Sequence, residues 1–304
     1  MKRVLITGGS GTIGKAFIKK YQELFKFYNY SRNEKAQDEL KKVFPEITNF
    51  VGSIEDLATF MNVIQKVKPD IIIHAAAMKH VNIAEENPIQ CCNINILGSL
   101  NVLNASIISQ IPTTIFISTD KACDPESVYG KSKSLIEDCF VGASNDITKF
   151  SACRFANVTH SNGSVLPFWL SLKEKNMPLK LTDPMMNRLM FSQDEAASLI
   201  KKSIDLCENE GGGFVLSKKM KNVNMFELAK SISDNVEITE KRVGEKLNET
   251  LINEKEIDFS YLIDDNYIML KKTKNTGENK LNKEFSSLTA DKMNSEELEK
   301  LIKP

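Results

Sequence analysis

The first half of the chain alternates short apolar runs with longer stretches in which apolar residues recur every three or four positions. The short runs predict buried strands, and the longer stretches predict amphipathic helices. The predicted strands are Arg3–Thr7, Lys26–Tyr30, Asn49–Gly52, Asp70–His74, Thr113–Ser118 and Phe150–Arg154. This alternation predicts an α/β fold in which helices cover both faces of a Rossmann-like, doubly wound parallel sheet.

The pattern of apolar and polar residues changes after about residue 157, where the predicted elements are shorter and are interrupted by prolines. The predicted elements there are helices at Ser164–Glu174, Ser192–Cys207, Met225–Ser233 and Ser295–Ile302 and strands at Gly213–Leu216 and Tyr261–Leu270. We therefore expect a Rossmann-like domain over residues 1–157 and a smaller mixed α/β substrate lobe over 158–304, with some segments returning to the first domain. The lysine-rich segment Lys271–Lys292 is predicted to be loose, and the last helix to lack a full capping box.

Composition narrows the function classes. The 304 residues, 41% of them hydrophobic, suffice for one large domain plus a lobe. Lysine plus arginine and aspartate plus glutamate each total 40, so no global positive field favours nucleic acid or an anionic membrane.

The cysteines and histidines argue against a metal site, since the six cysteines form no CxxC pair and the chain has only three histidines. Cysteines in such a pattern are typical of reduced thiols. With no signal peptide and no apolar run near the roughly 18 residues of a membrane span, we expect a cytoplasmic protein.

A glycine-rich loop follows the first predicted strand. Residues 7–14 read TGGSGTIG and precede a helix, a context in which glycines let the backbone approach a pyrophosphate at the helix N-terminus. Residues 9–15 also satisfy the P-loop pattern, but Ala16 stands where a nucleotide hydrolase needs a hydroxyl for magnesium. The loop therefore predicts a dinucleotide site, and a plain glycine turn is the weaker alternative.

The residues at the end of the second strand indicate which nicotinamide cofactor, NAD or NADP, the site favours. An NAD site usually has an acidic residue there, whereas this chain has Ser31 and Arg32. A hydroxyl beside a guanidinium suits a 2′-phosphate, which favours NADP. Glu34 could supply the acid, but we assign it to a capping box with Ser31.

The fourth strand runs into three alanines, Ala75–Ala77, which are small enough for a ring and a ribose to lie against the backbone. We interpret His74 as a core residue. Lys79 is placed to meet a ligand, with a solvated lysine as the alternative. Asn95, a poor helix former inside a helical stretch, is either structural or part of a catalytic relay.

Two acid/base clusters stand side by side. Tyr129 and Lys133 are four residues apart, so on a helix they share a face and the ammonium group can make the phenol more acidic. Asp120 and Lys121 follow a buried strand, and we expect desolvation or Lys133 to lower the pKa of Lys121. The first cluster suits a hydride transfer and the second an elimination; a solvated turn pair is the alternative for the second.

These motifs resemble a known family. The glycine loop, the YxxxK pair and Arg154–Val158 are similar to extended short-chain dehydrogenases/reductases. More narrowly, His74–Val81, Ser118–Ala122 and Arg242–Glu249 resemble the inverting UDP-N-acetylglucosamine 4,6-dehydratases of polysaccharide biosynthesis. The resemblance extends over nearly the whole chain, and its Thr-Asp-Lys triplet is the most specific part.

The resemblance implies roles for the catalytic candidates. Thr119 would bond the sugar near C4, and Tyr129 would take the O4 proton. Lys133 would bind the nicotinamide ribose and lower the pKa of Tyr129. Asp120 would protonate the departing C6 hydroxyl, and Lys121 would take the C5 proton. Retaining relatives carry an Asp-Glu pair at this place, so a lysine base implies inversion at C5.

The resemblance also implies the binding residues. The candidate cofactor-binding residues are Gly8, Ser10, Gly11, Thr12, Ile13, Gly14, Ser31, Arg32, Ser53, Ile54, Ala75, Ala76, Lys79, Tyr129 and Lys133. The candidate substrate-binding residues are Lys79, Asn157, Val165, Arg188 and Arg242. Two positions depart from the family pattern: Ser53 replaces an aspartate near the adenine, and residues 160–162 replace a Gly-Ser-Arg.

The predicted function is NADP-dependent 4,6-dehydration of UDP-N-acetylglucosamine with inversion at C5, giving a UDP-4-keto-6-deoxy-L-arabino-hexose. One alternative is a nucleotide-sugar epimerase of the same fold that leaves C6 untouched. Another is a non-catalytic NADP-binding regulator, a class that usually loses the tyrosine kept here as Tyr129. Relatives also imply a homo-oligomer.

Overall fold

The computed structural model describes residues 1–240 and 244–303. The strands in chain order are β1 Lys2–Thr7, β2 Phe25–Ser31, β3 Thr48–Val51, β4 Ile71–His74, β5 Thr113–Thr119, β6 Lys149–Phe155, β7 Asn157–Val158, β8 Leu179–Leu181, β9 Asn187–Phe191, β10 Phe214–Lys218, β11 Lys221–Asn224, β12 Val236–Ile238, β13 Thr250–Ile252, β14 Ser260–Leu262, β15 Tyr267–Lys271 and β16 Phe285–Ser286. The six strands predicted for the first half are confirmed, with ends that differ by at most one residue.

Helices connect most of these strands. The α-helices are α1 Thr12–Tyr21, α2 Glu34–Val43, α3 Leu57–Val67, α4 Val81–Glu86, α5 Pro88–Cys91, α6 Ser99–Ile108, α7 Val128–Ala143, α8 Val165–Glu174, α9 Gln193–Glu210, α10 Met225–Ile232 and α11 Ser295–Ile302. A π-helical turn, Cys92–Gly98, joins α5 to α6, and 3-10 turns occupy Asp120–Ala122 and Glu254–Phe259.

A nine-stranded sheet forms the main body, in the order β14-β15-β10-β6-β5-β4-β1-β2-β3. The strands from β10 to β3 are parallel, and β14 and β15 add an antiparallel edge. The order in which successive strands join the sheet reverses between β1 and β4. The strands β1, β2 and β3 follow one another toward one edge, and β4, β5 and β6 follow one another toward the other. Because open α/β sheets bind ligands where the strand order reverses, this topology places a crevice at the carboxyl ends of β1 and β4. The predicted doubly wound α/β fold is confirmed.

Alternate residues of the central strands enter two hydrophobic cores. Ile6 and Ile115 point to the core formed with α1 and α9, whereas Leu5, Ile72 and Phe116 point to the core formed with α3, α6 and α7. All five side chains are completely buried. Burial on both faces explains why these strands read as continuous apolar runs.

The remaining elements build the smaller lobe. Its core surrounds the fully buried Trp169 of α8 and includes residues of β8, β9, β11 and α10. The same half of the chain also returns to the large sheet through α9, β10, β14 and β15. The domain boundary at residue 157 stays a prediction, and this topology gives the physical reason why one boundary cannot separate two continuous units.

Several local predictions were wrong. Residues 261–270 form two strands of an antiparallel hairpin, since Tyr261 pairs with Met269. The lysine-rich segment is packed in part: Asn275 is buried and donates to the Ser260 carbonyl oxygen at 2.8 Å, and β16 pairs with β13. The last helix does have a full capping box, because Asn294, one residue earlier than expected, caps it together with Glu297.

The expectation that no apolar run approaches the length of a membrane span was wrong for the region Pro88–Ile108. It is 21 residues long with a mean hydropathy of 1.4, enough by length and composition, and 56% of its most apolar window is buried inside the protein. Buried Val102 and Leu103 of α6 pack into the core beside the sheet, as in the core helix of a globular domain.

Candidate active site

A single cleft of about 1100 Å³ runs from the glycine loop to the far end of β5 and is bordered by the lobe. Almost all of the predicted site residues line it. The exceptions are Gly14 and Asp120, which are buried beside lining residues, and Arg242, which lies outside the described residues. The structure thus brings these residues together along one cleft, and their individual roles stay predictions.

The glycine loop fits a dinucleotide. A Cβ on Gly14 would lie 2.4 Å from the Gly9 Cα, and one on Gly8 would lie 3.0 Å from the Ala76 backbone nitrogen. Gly8 also has a φ of +75°, which favours glycine. Helix α1 begins after Gly11 with no side-chain cap, so the amides of its first turn face the cleft and can receive a phosphate.

The adenosine end of the cleft is lined by the loop after β2. Arg32 is exposed there, and Ser31 accepts hydrogen bonds from Ser10 and from the Gln37 amide. The predicted capping box was wrong: Asn33 caps α2, because the Ser31 hydroxyl is already engaged. Glu34 is exposed on the helix and is not part of the cleft wall.

Ser53 and Ile54 line the cleft beside the loop after β2, since the Gly52 amide donates to the Ser31 carbonyl oxygen at 3.1 Å. The Ser53 hydroxyl donates to Glu55 at 2.8 Å, and its carbonyl oxygen accepts from the Tyr30 hydroxyl at 2.9 Å. The usual aspartate near the adenine is thus replaced by a serine whose hydroxyl is paired with a neighbouring carboxylate.

The alanines after β4 form the floor of the cleft, as their small size predicts. His74 lies in the core, also as predicted. Its ring contacts the Thr7 and Ser99 hydroxyls at 2.7 and 2.8 Å, and burial lowers its pKa to about 3. Lys79 donates to the Asn162 carbonyl oxygen at 2.5 Å, so it ties the loop before α8 to the floor.

Asn95 connects elements that surround the cleft. Its side-chain oxygen accepts from the Met78 amide at 2.8 Å, and its nitrogen donates to the Met78 carbonyl oxygen and to Ser132 of α7. It is buried within the π-helical turn. These bonds join α7 to the loop after β4, and a further bond from the Asn95 nitrogen to the Cys91 sulfur, at 3.4 Å, lies within the helical stretch.

The Thr-Asp-Lys triplet ends β5 and forms a compact polar cluster. The Thr119 hydroxyl and the Lys121 ammonium donate to the same oxygen of Asp120, Oδ1, at 2.9 and 3.2 Å. Asp120 is 1% exposed, and its second oxygen, Oδ2, has no hydrogen-bond partner among the described residues. Lys121 is also 3.1 Å from a second buried carboxylate, that of Glu249.

The prediction for the pKa of Lys121 was wrong in sign. Burial alone would lower it, but the adjacent carboxylates of Asp120 and Glu249 outweigh burial and the opposing charge of Arg188, so the pKa is raised. The prediction failed because Lys121 meets a second carboxylate, that of Glu249, which lies 128 residues further along the chain.

Tyr129 and Lys133 project from one face of α7, as their spacing predicts. Burial raises the pKa of Tyr129 to about 12, while the charge of Lys121 and the Thr119 hydroxyl oppose that rise. The predicted acidification by Lys133 is not seen, because the Lys133 ammonium donates to the Ile117 carbonyl oxygen at 2.5 Å and lies over the Phe116 ring. Burial lowers the pKa of Lys133 to about 7.

The substrate candidates lie on the lobe side. Asn157 is on β7, Val165 begins α8, and Arg188 is on β9. The Arg188 guanidinium donates to the backbone carbonyl oxygens of Lys246 and Leu247, at 2.9 and 3.1 Å. In this arrangement Arg188 anchors a neighbouring segment besides facing the cleft.

The sequence analysis assigned no role to Glu249, although it lies within one of the motifs used for the resemblance. It is 4% exposed and lines the cleft. The available signal was its place at the end of Arg242–Glu249, yet only the pairing of β13 with β16 brings it to Lys121.

The fold and the site define the class of protein: a dinucleotide-binding α/β protein of the extended short-chain dehydrogenase/reductase type. Comparison with known proteins gives the family. A family model described as polysaccharide biosynthesis protein matches residues 4–271. The chain belongs to this family, which confirms the resemblance predicted from the sequence.

Individual relatives refine this picture. A UDP-N-acetylglucosamine 4,6-dehydratase (inverting) of Campylobacter jejuni is 35% identical over 278 residues, covering 88% of this chain and 82% of that protein. A UDP-glucose 4-epimerase of Rickettsia bellii is 30% identical over 84% of this chain and 79% of its own. An X-ray structure of Pen from Bacillus thuringiensis superposes with a TM-score of 0.89 at 28% identity, covering 99% of this chain and 96% of Pen.

Proposed function

We propose that the protein is an inverting UDP-N-acetylglucosamine 4,6-dehydratase that uses NADP. The observation that carries the proposal is the ion pair of the partly buried Lys121 with the buried Asp120, at 3.2 Å, near Tyr129 in a cleft that fits a nicotinamide cofactor. An epimerase needs to move a hydride and a proton at C4 only. An elimination across C5 and C6 also needs an acid and a base, and this pair can supply both.

In the elimination step, the Asp120–Lys121 pair gains as many protons as it loses. Transfer of one proton from the Lys121 ammonium to Asp120 converts the ion pair into a neutral amine and a neutral acid. The amine then takes the C5 proton, and the acid gives its proton to the C6 hydroxyl as water leaves. Lys121 is again an ammonium and Asp120 a carboxylate. The unpartnered Oδ2 of Asp120 is the oxygen on which we place the transferred proton.

The C5 proton becomes acidic only when C4 is a ketone, because the carbanion can then delocalise onto oxygen. When bound, the cofactor would accept the C4 hydride and later return it to C6, after which C5 would take a solvent-derived proton on the face opposite to the one that lost its proton. We assign Tyr129 to accept the O4 proton and Thr119 to hold O4. Since burial raises the pKa of Tyr129 to about 12, a charged neighbour has to come closer for it to act. Lys133 can do so if it turns from the Ile117 carbonyl oxygen.

The choice of NADP rests on the end of β2. Ser31, Arg32 and Asn33 line the cleft there, and the acidic Glu34 does not. A guanidinium free to approach a 2′-phosphate favours NADP over NAD. For the substrate, the relatives that carry a UDP-sugar in their names support a UDP-sugar here, with Asn157, Val165, Arg188 and Arg242 as its candidate contacts.

Mass spectrometry of the product tests the proposal. The purified protein is incubated with UDP-N-acetylglucosamine and NADP, and we expect the product to have lost the mass of one water. A product of unchanged mass in which C4 is inverted would assign the protein to the epimerases instead. Unchanged starting material with cofactor bound would indicate a non-catalytic binder.

We also propose a cytoplasmic homo-oligomer. The cytoplasmic location is supported by six free thiols and by the cytosolic origin expected of NADP and UDP-sugars. Self-association is supported by exposed apolar side chains along the Pro88–Ile108 region, including Ile89, Leu97 and Ile108. Light scattering of the purified protein gives its mass in solution, and a monomer would remove the second part of this proposal.

A further inference from the structure

Glu249 is a buried acidic residue at the wall of the cleft. Its Oε1 lies 3.1 Å from the Lys121 ammonium, which is also 3.2 Å from Asp120. The Glu249 side chain is 5% exposed and that of Lys121 is 27% exposed. A carboxylate removed from water to this extent is stable only with a partner, and Lys121 is a residue that the chemistry needs.

The backbone around Glu249 is fixed at several points. Its amide donates to the Ser287 hydroxyl at 3.0 Å, and the Ser287 amide donates to its carbonyl oxygen at 2.8 Å. Two buried arginines hold the segment on either side: Arg188 binds the carbonyl oxygen of Leu247, and Arg154 binds that of Leu251 at 2.7 Å. The carboxylate is therefore presented to Lys121 by a rigid support rather than by a free loop.

We propose that Glu249 is a positioning residue that holds the Lys121 amine in the cleft, forming with Asp120 a three-residue charge cluster. Its role in the elimination rests on the proposed function. A lysine side chain has four rotatable carbons, so two carboxylates on different segments fix its nitrogen better than Asp120 alone. Glu249 thus sets both the direction of the amine and its state of protonation.

The groups around Lys121 determine the sign of the pH effect. Asp120 and Glu249 are the negative groups that face it, Arg188 is the positive one, and Tyr129 is uncharged at neutral pH. The reaction needs one proton on the Asp120–Lys121 pair and stops when that proton is lost at high pH. Loss of that proton follows the pKa of Lys121, which the carboxylates raise, so the alkaline limit of the elimination step itself is set by Lys121, whereas that of the preceding oxidation is set by Lys133, whose pKa is about 7.

Removing the Glu249 charge has two expected consequences. The pKa of Lys121 falls, so the alkaline limit moves to lower pH by about one pH unit. The amine also loses one of its two tethers, so kcat for water loss decreases about 10-fold or more at neutral pH, since small misplacements of a reacting group are costly. Transient reduction of the cofactor should change much less than water loss, because Lys121 affects that step only through its charge near Tyr129.

The test compares Glu249→Gln with wild type by two measurements. Protein labelled with nitrogen-15 in its lysines is titrated by NMR, with the Lys121 signal assigned by its loss in Lys121→Arg. Water loss from UDP-N-acetylglucosamine is then followed across the same pH range. Glu254→Gln is the matched control, because it makes the same chemical change at an exposed position five residues further along the chain.

We expect Lys121 to titrate at lower pH in Glu249→Gln and unchanged in Glu254→Gln, with the alkaline limit of water loss moving in parallel. An unchanged Lys121 titration in folded Glu249→Gln would overturn the inference, whatever the activity. If Glu249→Gln does not fold, Glu249→Asp replaces it and should give an intermediate downward shift; no shift would again overturn it. A shifted titration in a protein whose wild type never releases water would reject only the proposed function.

Discussion

At the scale of single residues, burial competes with neighbouring charges for control of each ionisable group. Burial prevails for Tyr129, whose pKa rises to about 12, and for Lys133, whose pKa falls to about 7. For Lys121 the two carboxylates prevail, and its pKa is raised. The resting protein thus holds an ammonium at Lys121 and a neutral phenol at Tyr129, and both have to lose a proton during the reaction.

Tyr129 is expected to be required for the first chemical step. Tyr129→Phe removes the hydroxyl that receives the O4 proton but keeps the ring that packs against Ala84 and Cys91. We expect transient reduction of bound NADP, followed by absorbance at the start of turnover, to slow by about 100-fold or more. NADP affinity should change little. Wild-type reduction in this variant would mean that another group takes the proton.

Lys121→Ala should separate the two halves of the reaction. Without the base at C5, the sugar can still be oxidised at C4, so reduced cofactor is expected to accumulate while water loss falls by about 100-fold or more. Lys131→Ala, at an exposed position on α7, is the control and should behave as wild type. Equal rates of water loss in Lys121→Ala and wild type would refute the assignment of the base.

At the scale of elements, the turn between β1 and α1 has the least room for variation. Gly14→Ala would press a methyl group against the Gly9 backbone, at 2.4 Å, and the glycine loop would have to open. We expect weaker NADP binding by at least about 10-fold and a lower melting temperature. Calorimetric titration with NADP measures the first and thermal unfolding the second.

Gly142→Ala is the control for that substitution. The added Cβ in α7 would meet only the flexible end of Lys272, at 2.9 Å. Replacing a helical glycine restricts the unfolded chain, so this variant should be as stable as wild type or more stable by about 0.5 kcal/mol. Equal NADP affinity in both variants would contradict the account of the glycine loop.

Elements with strong local signals were the predictable ones. The strands β1, β4, β5 and β6 are buried on both faces over most of their length, so the sequence shows them as apolar runs. Tyr129 and Lys133 follow helical spacing. The short strands of the lobe carry no such signal, because two to five residues are stabilised mainly by distant partners, as in the pairing of β13 with β16. Glu249 was missed for the same reason: its role depends on a contact across 128 residues of chain.

At the scale of the whole molecule, the cleft of about 1100 Å³ lies between the large sheet and the smaller lobe, and each contributes different residues to it. The sheet supplies the glycine loop, the Thr-Asp-Lys triplet and the YxxxK pair. The lobe supplies Arg188, and the following segment supplies Glu249, which completes the charge cluster around Lys121. The chemistry is thus assembled at the border of the two parts, where a sugar on the lobe would meet a cofactor on the sheet.

The central claim is that Asp120 and Lys121 remove water across C5 and C6 of a sugar oxidised at C4. Its most direct test is NMR of the product formed from UDP-N-acetylglucosamine in deuterated water. We predict a 4-keto-6-deoxy sugar that carries deuterium at C5 with inverted configuration. A product that keeps its C6 hydroxyl and has no deuterium at C5 would contradict the account.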